Sequence, residues 1–152
     1  MRRRTLSFAL PLTAAALLAI GAAAPAPVST LKGVYSADQA AAGAQLYATR
    51  CAMCHGKMLE GTFETPALQD RFIANWSKAP LSDLYDYVAR AMPQFAPGSL
   101  KPDETAKIVA YLLQSNALPA GPQALPAESA ALKRVMLEPK PASVSAEAVP
   151  KK

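Results

Sequence analysis

The two cysteines and the single histidine of this 152-residue chain lie together in one short segment. Two residues separate Cys51 from Cys54, and His55 follows directly. Thiols at this spacing can form a disulfide, ligate a metal or bond covalently to a prosthetic group, and an imidazole is a common metal ligand. We therefore expect the chemistry of the chain at residues 51–55.

A structural disulfide, a redox dithiol and a zinc site all fit the sequence poorly. A disulfide between Cys51 and Cys54 would close a very small loop and stabilise the fold little. A redox dithiol is disfavoured because no βαβ pattern surrounds the motif. A zinc site needs a second pair of ligands, and the chain has no further Cys or His.

Cys-x-x-Cys-His is the attachment signature of c-type haem. Two thiols one helical turn apart can add across the two vinyl groups of the porphyrin, and the histidine that follows then lies under the iron. The motif therefore predicts one covalent haem c, with its iron, per chain. Cys51 and Cys54 would attach the haem, and His55 would be an iron ligand.

The second axial ligand cannot be another histidine, and the single histidine also excludes Ser-His-Asp or Cys-His catalysis. Methionine, lysine or an open position remain. The methionines beyond the first residue are Met53, Met58, Met92 and Met136. Met53 and Met58 are too close to His55 to reach the far face of a haem, and Met136 lies in a weakly structured tail. Met92 precedes a proline and lies 37 residues beyond His55, so we predict that it is the second ligand.

Residues 1–24 have the layout of a secretory signal peptide. Three arginines precede an apolar run from Leu6 to Ile20 and a group of small residues, with cleavage expected between Ala22 and Ala26. An uncleaved membrane anchor is the alternative, but the run is barely long enough and contains Pro11. We expect an exported, periplasmic protein that associates with a membrane only if the leader is retained.

The net charge of +5 is mostly a property of this leader. Its three arginines contribute +3, which leaves +2 on the remainder. Between Pro25 and Pro119 there are eight Lys and Arg residues and eight Asp and Glu residues, so the charges in this segment balance. No clustered basic surface is expected, so nucleic acid is not a predicted partner.

The remaining sequence predicts an all-α fold of about three to five helices wrapped around the haem, with long loops. One helix should span residues 37–50, with Ser36 as N-cap and Gln39 as its capping-box partner. Others should span residues 82–92, ended by Pro93, and follow Pro102, with Asn116 as a left-handed C-cap. Residues 56–78 should form an ordered loop, and no segment alternates like a strand.

Around this domain the composition changes twice. Residues 25–35 contain prolines and are predicted to be a linker, and residues 36–121 form the predicted domain. Residues 122–152 are rich in Ala, Pro and Lys and are predicted to be a partly disordered tail, with one or two amphipathic turns at residues 129–137.

Over residues 36–121 the sequence resembles the class I bacterial cytochromes c. The resemblance rests on the following segments: Gly43, Tyr47, Cys51–His55, Pro66–Leu68, Trp76, Met92–Pro93, Ala96–Leu100 and Ile108–Leu113. It implies that the Pro66 carbonyl bonds His55 Nδ1, that Trp76 bonds a haem propionate, and that Gly43 and Tyr47 pack near Tyr111. Thr105 and Ala117 stand where one subgroup, which serves periplasmic oxidoreductases, has an aromatic residue and a glycine.

The resemblance implies a single-electron carrier rather than an enzyme. Its partners would be redox proteins, namely a dehydrogenase as donor and an oxidase or another cytochrome as acceptor. Two alternatives remain: a five-coordinate haem enzyme or gas sensor in which Met92 only packs, and a haem subunit docked permanently in a dehydrogenase complex.

Overall fold

The computed structural model describes residues 26–139, so the predicted leader and the end of the predicted tail lie outside the described residues. Six α-helices occur in this range: α1 (Ala37–Arg50), α2 (Ala52–His55), α3 (Phe72–Trp76), α4 (Leu81–Ala91), α5 (Pro102–Ser115) and α6 (Ser129–Leu132). A 3-10 turn (Thr30–Lys32) and two short strands, β1 (Val28–Ser29) and β2 (Val135–Met136), complete the list. The prediction of a small, mostly helical domain is confirmed.

The start of α1 is set by Ser36, whose Oγ accepts a hydrogen bond from the Gln39 amide at 3.2 Å. The predicted return bond from the Gln39 side chain to the cap is wrong. That side chain instead accepts from Leu125 N at 2.7 Å and donates to Leu125 O at 2.9 Å. A free backbone donor and acceptor on a distant segment thus replace the capping box.

Helices α1 and α5 cross closely at Gly43. A Cβ atom at this position would overlap Lys107 O and would lie 3.0 Å from Tyr111 Cβ. One turn further along, the rings of Tyr47 and Tyr111 are 5.2 Å apart. The crossing that the sequence suggested for Gly43 is confirmed, and it fixes the end of α1 that leads into Cys51.

Helix α4 buries one face against the core and ends at the predicted proline. Its buried residues at helical spacing include Leu81, Leu84, Tyr85 and Val88. Met92 is already extended, and its amide donates to Val88 O at 3.1 Å. Met92, the predicted second iron ligand, is therefore held at the end of a helix.

The C-terminal end of α5 differs from the prediction. Asn116 is not left-handed, with φ −97°, whereas Ala117 is, with φ 59°. The Asn116 side chain instead donates to Leu68 O at 2.9 Å and to Leu112 O at 2.8 Å. The left-handed residue is thus the alanine that stands where the related subgroup has a glycine.

The segments on either side of the domain fold against it. Residues 26–35, predicted as a linker, contribute β1 and the buried Tyr35. Residues 122–138, which we call the C-terminal strap, bury Leu125, Leu132 and Leu137. Strand β2 of the strap pairs in parallel with β1, Val28 opposite Val135. Two-residue strands are too short to show alternation, which is why the sequence did not predict them.

The loop from residue 56 to residue 78 is ordered and contains α3, which the sequence did not predict. Its first part turns back on itself, because Gly61 N donates to His55 O at 2.8 Å and Leu68 N donates to Leu59 O at 2.8 Å.

Within residues 26–139, every helix is too short or too polar to cross a membrane.

Candidate haem site

The attachment motif forms one tight turn between α1 and α2. Cys51 caps the end of α1 and begins α2, and its carbonyl accepts from Cys54 N at 3.1 Å and His55 N at 2.9 Å. Both thiols are free, with Cys51 half-buried and Cys54 exposed. The two sulfur-bearing residues are therefore one turn apart on a rigid backbone.

Cys51 is a neutral thiol at neutral pH. Burial raises its pKa to about 11, and this effect exceeds the lowering by the neighbouring Arg50. Metal ligation and thiol–disulfide exchange both use the thiolate. The environment of Cys51 therefore does not favour thiol–disulfide exchange.

His55 is buried, and its Nδ1 lies 2.9 Å from the carbonyl oxygen of Pro66. Because a carbonyl oxygen can only accept, Nδ1 carries the proton and Nε2 keeps its lone pair for a metal. This is the contact that the resemblance implied. Pro66 itself is held by a turn in which Thr62 N donates to Thr65 O at 2.8 Å.

Gly56 follows His55 directly. Its position depends on a hydrogen bond from Tyr47 and on its having no side chain. Tyr47 OH donates to Gly56 O at 2.7 Å, and burial, followed by the nearby Cys51, raises the pKa of Tyr47. Gly56 has φ 79°, and a Cβ there would overlap the Glu60 carboxylate. Only glycine suits this position, which ends α2 directly after the predicted ligand.

A cavity of about 310 Å³ opens beside His55. All six residues that the sequence predicted for the site line it: Cys51, Cys54, His55, Pro66, Trp76 and Met92. Apolar side chains from four further elements form its walls: Leu68, Phe72, Leu84, Val88, Ile108 and Leu112. The fold thus gathers residues up to 65 positions apart, Tyr47 and Leu112, around one apolar space.

Sequence reasoning missed several polar lining residues. Arg50, Glu64, Asn75 and Gln94 also face the cavity, and Arg50 is the one Lys or Arg among its described lining residues. Tyr87 lines it too, and its ring lies 5.4 Å from that of Trp76. Arg50 directly precedes the motif, so its position could have been noted, whereas Asn75 lies in α3, which the sequence did not predict, and Gln94 lies in a loop without a distinctive pattern.

These residues fit a covalently attached haem. Two thiols one turn apart, a buried imidazole with Nε2 available and an apolar enclosure are the groups that such a macrocycle requires. No cluster of three or more His, Cys, Asp or Glu side chains placed to hold a metal ion occurs among residues 26–139.

The family comparison agrees with this geometry. Residues 38–112 match a protein family described as cytochrome c oxidase, cbb3-type, subunit III. These residues form a cytochrome c domain. A cytochrome c domain implies a covalent haem c and haem-based electron transfer, and it is typical of electron carriers rather than enzymes.

The chain is also similar to a solved structure, the sulfane dehydrogenase SoxCD from Paracoccus pantotrophus. The sequences are 26% identical, the TM-score is 0.47, and the match covers 79% of this chain and 68% of the other. No sequence among curated proteins matches this chain.

Proposed function

We propose that this protein is an exported single-electron carrier whose haem c is ligated by His55 and Met92. One observation carries the assignment of the ligands. Of the four methionines in residues 26–139, Met92 alone lines the cavity that His55 also lines. A second histidine does not exist in the chain, and no lysine is among the lining residues.

The environments of the other methionines support the same choice. The side chains of Met53 and Met58 are 78% and 73% exposed, and Met136 belongs to β2 in the strap. Met92 is half-buried between the end of α4 and the buried Pro93. A thioether at a fixed helix end suits a permanent ligand.

The haem, when bound, supplies the one-electron exchange. The chain would hold His55 through its bond to the Pro66 carbonyl and Met92 through α4. If His55 and Met92 both bind the iron, oxidation would change the charge but little geometry, and no open position would remain for a small molecule. The Met92 thioether and the apolar walls would favour the reduced state. Trp76 would donate its indole N–H to a haem propionate, as the resemblance implies.

We infer that the partners are redox proteins that bind briefly through a small interface. A dehydrogenase would be the donor, and an oxidase or another cytochrome the acceptor. Phe95, which lines the cavity, is 59% exposed and offers an apolar contact at its rim. The leader at residues 1–24 favours a periplasmic location.

Carbon monoxide binding to the reduced protein tests the filled sixth position. We expect little binding by the wild type at neutral pH and ready binding by Met92→Ala, with a lowered reduction potential in the variant. Met58→Ala is the control and should behave like the wild type. Rapid, stoichiometric binding by the wild type would contradict the carrier and favour an open-haem enzyme or gas sensor.

A further inference from the structure

Three segments of the chain meet at the hydroxyl group of Tyr85. This side chain on α4 is 5% exposed. Its hydroxyl lies 3.0 Å from Pro102 O, at the start of α5, and also within hydrogen-bonding distance of Ala127 O in the strap. One buried O–H on α4 is thus shared between carbonyl acceptors on α5 and on the strap.

Tyr85 lies in the middle of α4, the helix that ends at Met92. Met92 follows α4 two helical turns after Tyr85, which places the two residues near the same face. The chain then loops through residues 93–101 and returns to α5 at Pro102. The contact between the Tyr85 hydroxyl and Pro102 O therefore joins α4, which precedes this loop, to the first residue of α5, which follows it.

The strap makes further contacts with α4 and its entry. Ser129 Oγ donates to Asp86 Oδ2 at 2.9 Å. Before the helix, Leu137 N donates to Ala79 O at 3.0 Å, and Lys78 N donates to Leu137 O at 3.1 Å. Leu132 and Leu137 are completely buried. The strap therefore braces α4 from its entry to its middle, although no strap residue lines the cavity.

We propose that Tyr85 is a positioning residue that, together with the strap, holds the Met92 sulfur in the haem cavity and limits its replacement by other ligands. This inference rests on the proposed ligation by Met92. The burial of the phenol is consistent with it, because burial, with Asp86, Glu128 and Asp103 nearby, raises the pKa of Tyr85 and keeps the hydroxyl a donor.

Tyr35 offers a matched control. It is 1% exposed, and its hydroxyl donates to Leu118 O at 2.6 Å, beyond the end of α5. No hydrogen bond joins Tyr35 to α4 within the described residues. Tyr35→Phe and Tyr85→Phe each remove one buried phenolic O–H and keep the ring, so a general loss of stability affects both.

The first measurement is the affinity of the haem-loaded ferric protein for imidazole. Binding is monitored by the loss of the weak long-wavelength band of iron–methionine ligation. A buried hydrogen bond contributes enough free energy that we expect about tenfold tighter imidazole binding in Tyr85→Phe. Tyr35→Phe should change it by less than about twofold, because its hydroxyl lies outside the Met92 segment. Equal effects in the two variants would overturn the inference.

The second measurement is amide hydrogen exchange at residues 88–92, which does not depend on which residue ligates iron. These amides should exchange faster in Tyr85→Phe than in the wild type and be unchanged in Tyr35→Phe. Unchanged exchange in Tyr85→Phe would overturn the brace. By contrast, retention of the long-wavelength band in Met92→Ala would refute the proposed ligation while the exchange result still decides the role of Tyr85.

Discussion

The carbonyl oxygen of Pro66 lies 2.9 Å from His55 Nδ1, although Pro66 is eleven positions further along the chain. The acceptor is a backbone atom, so its position depends on the loop rather than on the proline ring. A bond of this kind fixes the orientation of a ligating imidazole and increases its basicity. The loop between the two residues is therefore expected to influence the iron through His55.

Replacement of Gly61 should disturb this contact. Gly61 has φ 72°, and a Cβ there would lie 2.5 Å from Ala67 N, 2.6 Å from Thr65 O and 2.8 Å from Pro66 C. We expect Gly61→Ala to displace the Pro66 carbonyl, shift the reduction potential and lower stability. Potentiometry and thermal unfolding of the haem-loaded protein would measure both effects.

Gly98 provides the control for that variant. It has φ 73°, but a Cβ there meets nothing within 4 Å. Both alanine variants bear the cost of a left-handed residue, about 1–2 kcal/mol. Gly98→Ala should therefore lose only the free energy of unfolding that a left-handed alanine costs, and its reduction potential should not change. Equal potentials in the two variants would contradict a role for the loop in positioning His55.

Covalent attachment predicts a specific mass and resistance to extraction. Intact-mass analysis of the exported protein should show the chain without its leader plus one haem. Cys51→Ala and Cys54→Ala should each sharply reduce haem that survives denaturation, because each removes one thioether bond. If acid-acetone removed all haem from the wild type, attachment at these cysteines would be refuted.

The sequence predicted the site better than its surroundings. The motif at residues 51–55 was recognisable because its chemistry depends on local spacing, and Met92 was selected because the other methionines were poorly placed. Helix α1 could be bounded because Ser36 is a strong cap. The strap was not predicted as packed. Its buried leucines lie 7 and then 5 positions apart among Ala, Pro and charged residues, a pattern that sustains neither a helical nor a strand period.

The Gln39 side chain shows the same limit. A capping box is a local pattern, but the structure uses this side chain to bind Leu125, which lies 86 residues away. A tertiary partner of this kind leaves no signal near Gln39. The left-handed Ala117 is similar, because the Asn116 side-chain amide that precedes it donates to Leu68 O on a different segment of the chain.

Because α1 and α5 cross closely at Gly43, we expect the substitution Gly43→Ala to destabilise the protein. Alanine is the better helix former by about 1 kcal/mol, so an isolated helix would gain from Gly43→Ala. Here the new Cβ would overlap Lys107 O, and we expect a net loss of about 1–3 kcal/mol, as for other overpacked sites. Ala41→Gly, at an exposed position of α1, is the control and should lose about 1 kcal/mol. Urea unfolding of both variants measures the difference, and a gain in stability for Gly43→Ala would refute the close crossing.

Alkaline pH should destabilise the fold through Tyr35. Burial raises the pKa of this phenol above its usual value of about 10, because the ionised form is poorly solvated in the core. As the pH rises past that value, the unfolded chain loses its proton first and binds fewer protons than the folded chain, so the free energy of unfolding falls. The contribution of Tyr35 is therefore complete below pH 10 and is lost as the pH rises through the folded pKa. In Tyr35→Phe the decrease in urea midpoint between pH 9 and pH 11 should be smaller than in the wild type, since other groups that titrate in this range are common to both proteins. An identical decrease in the two proteins would show that Tyr35 titrates alike in the folded and unfolded chains.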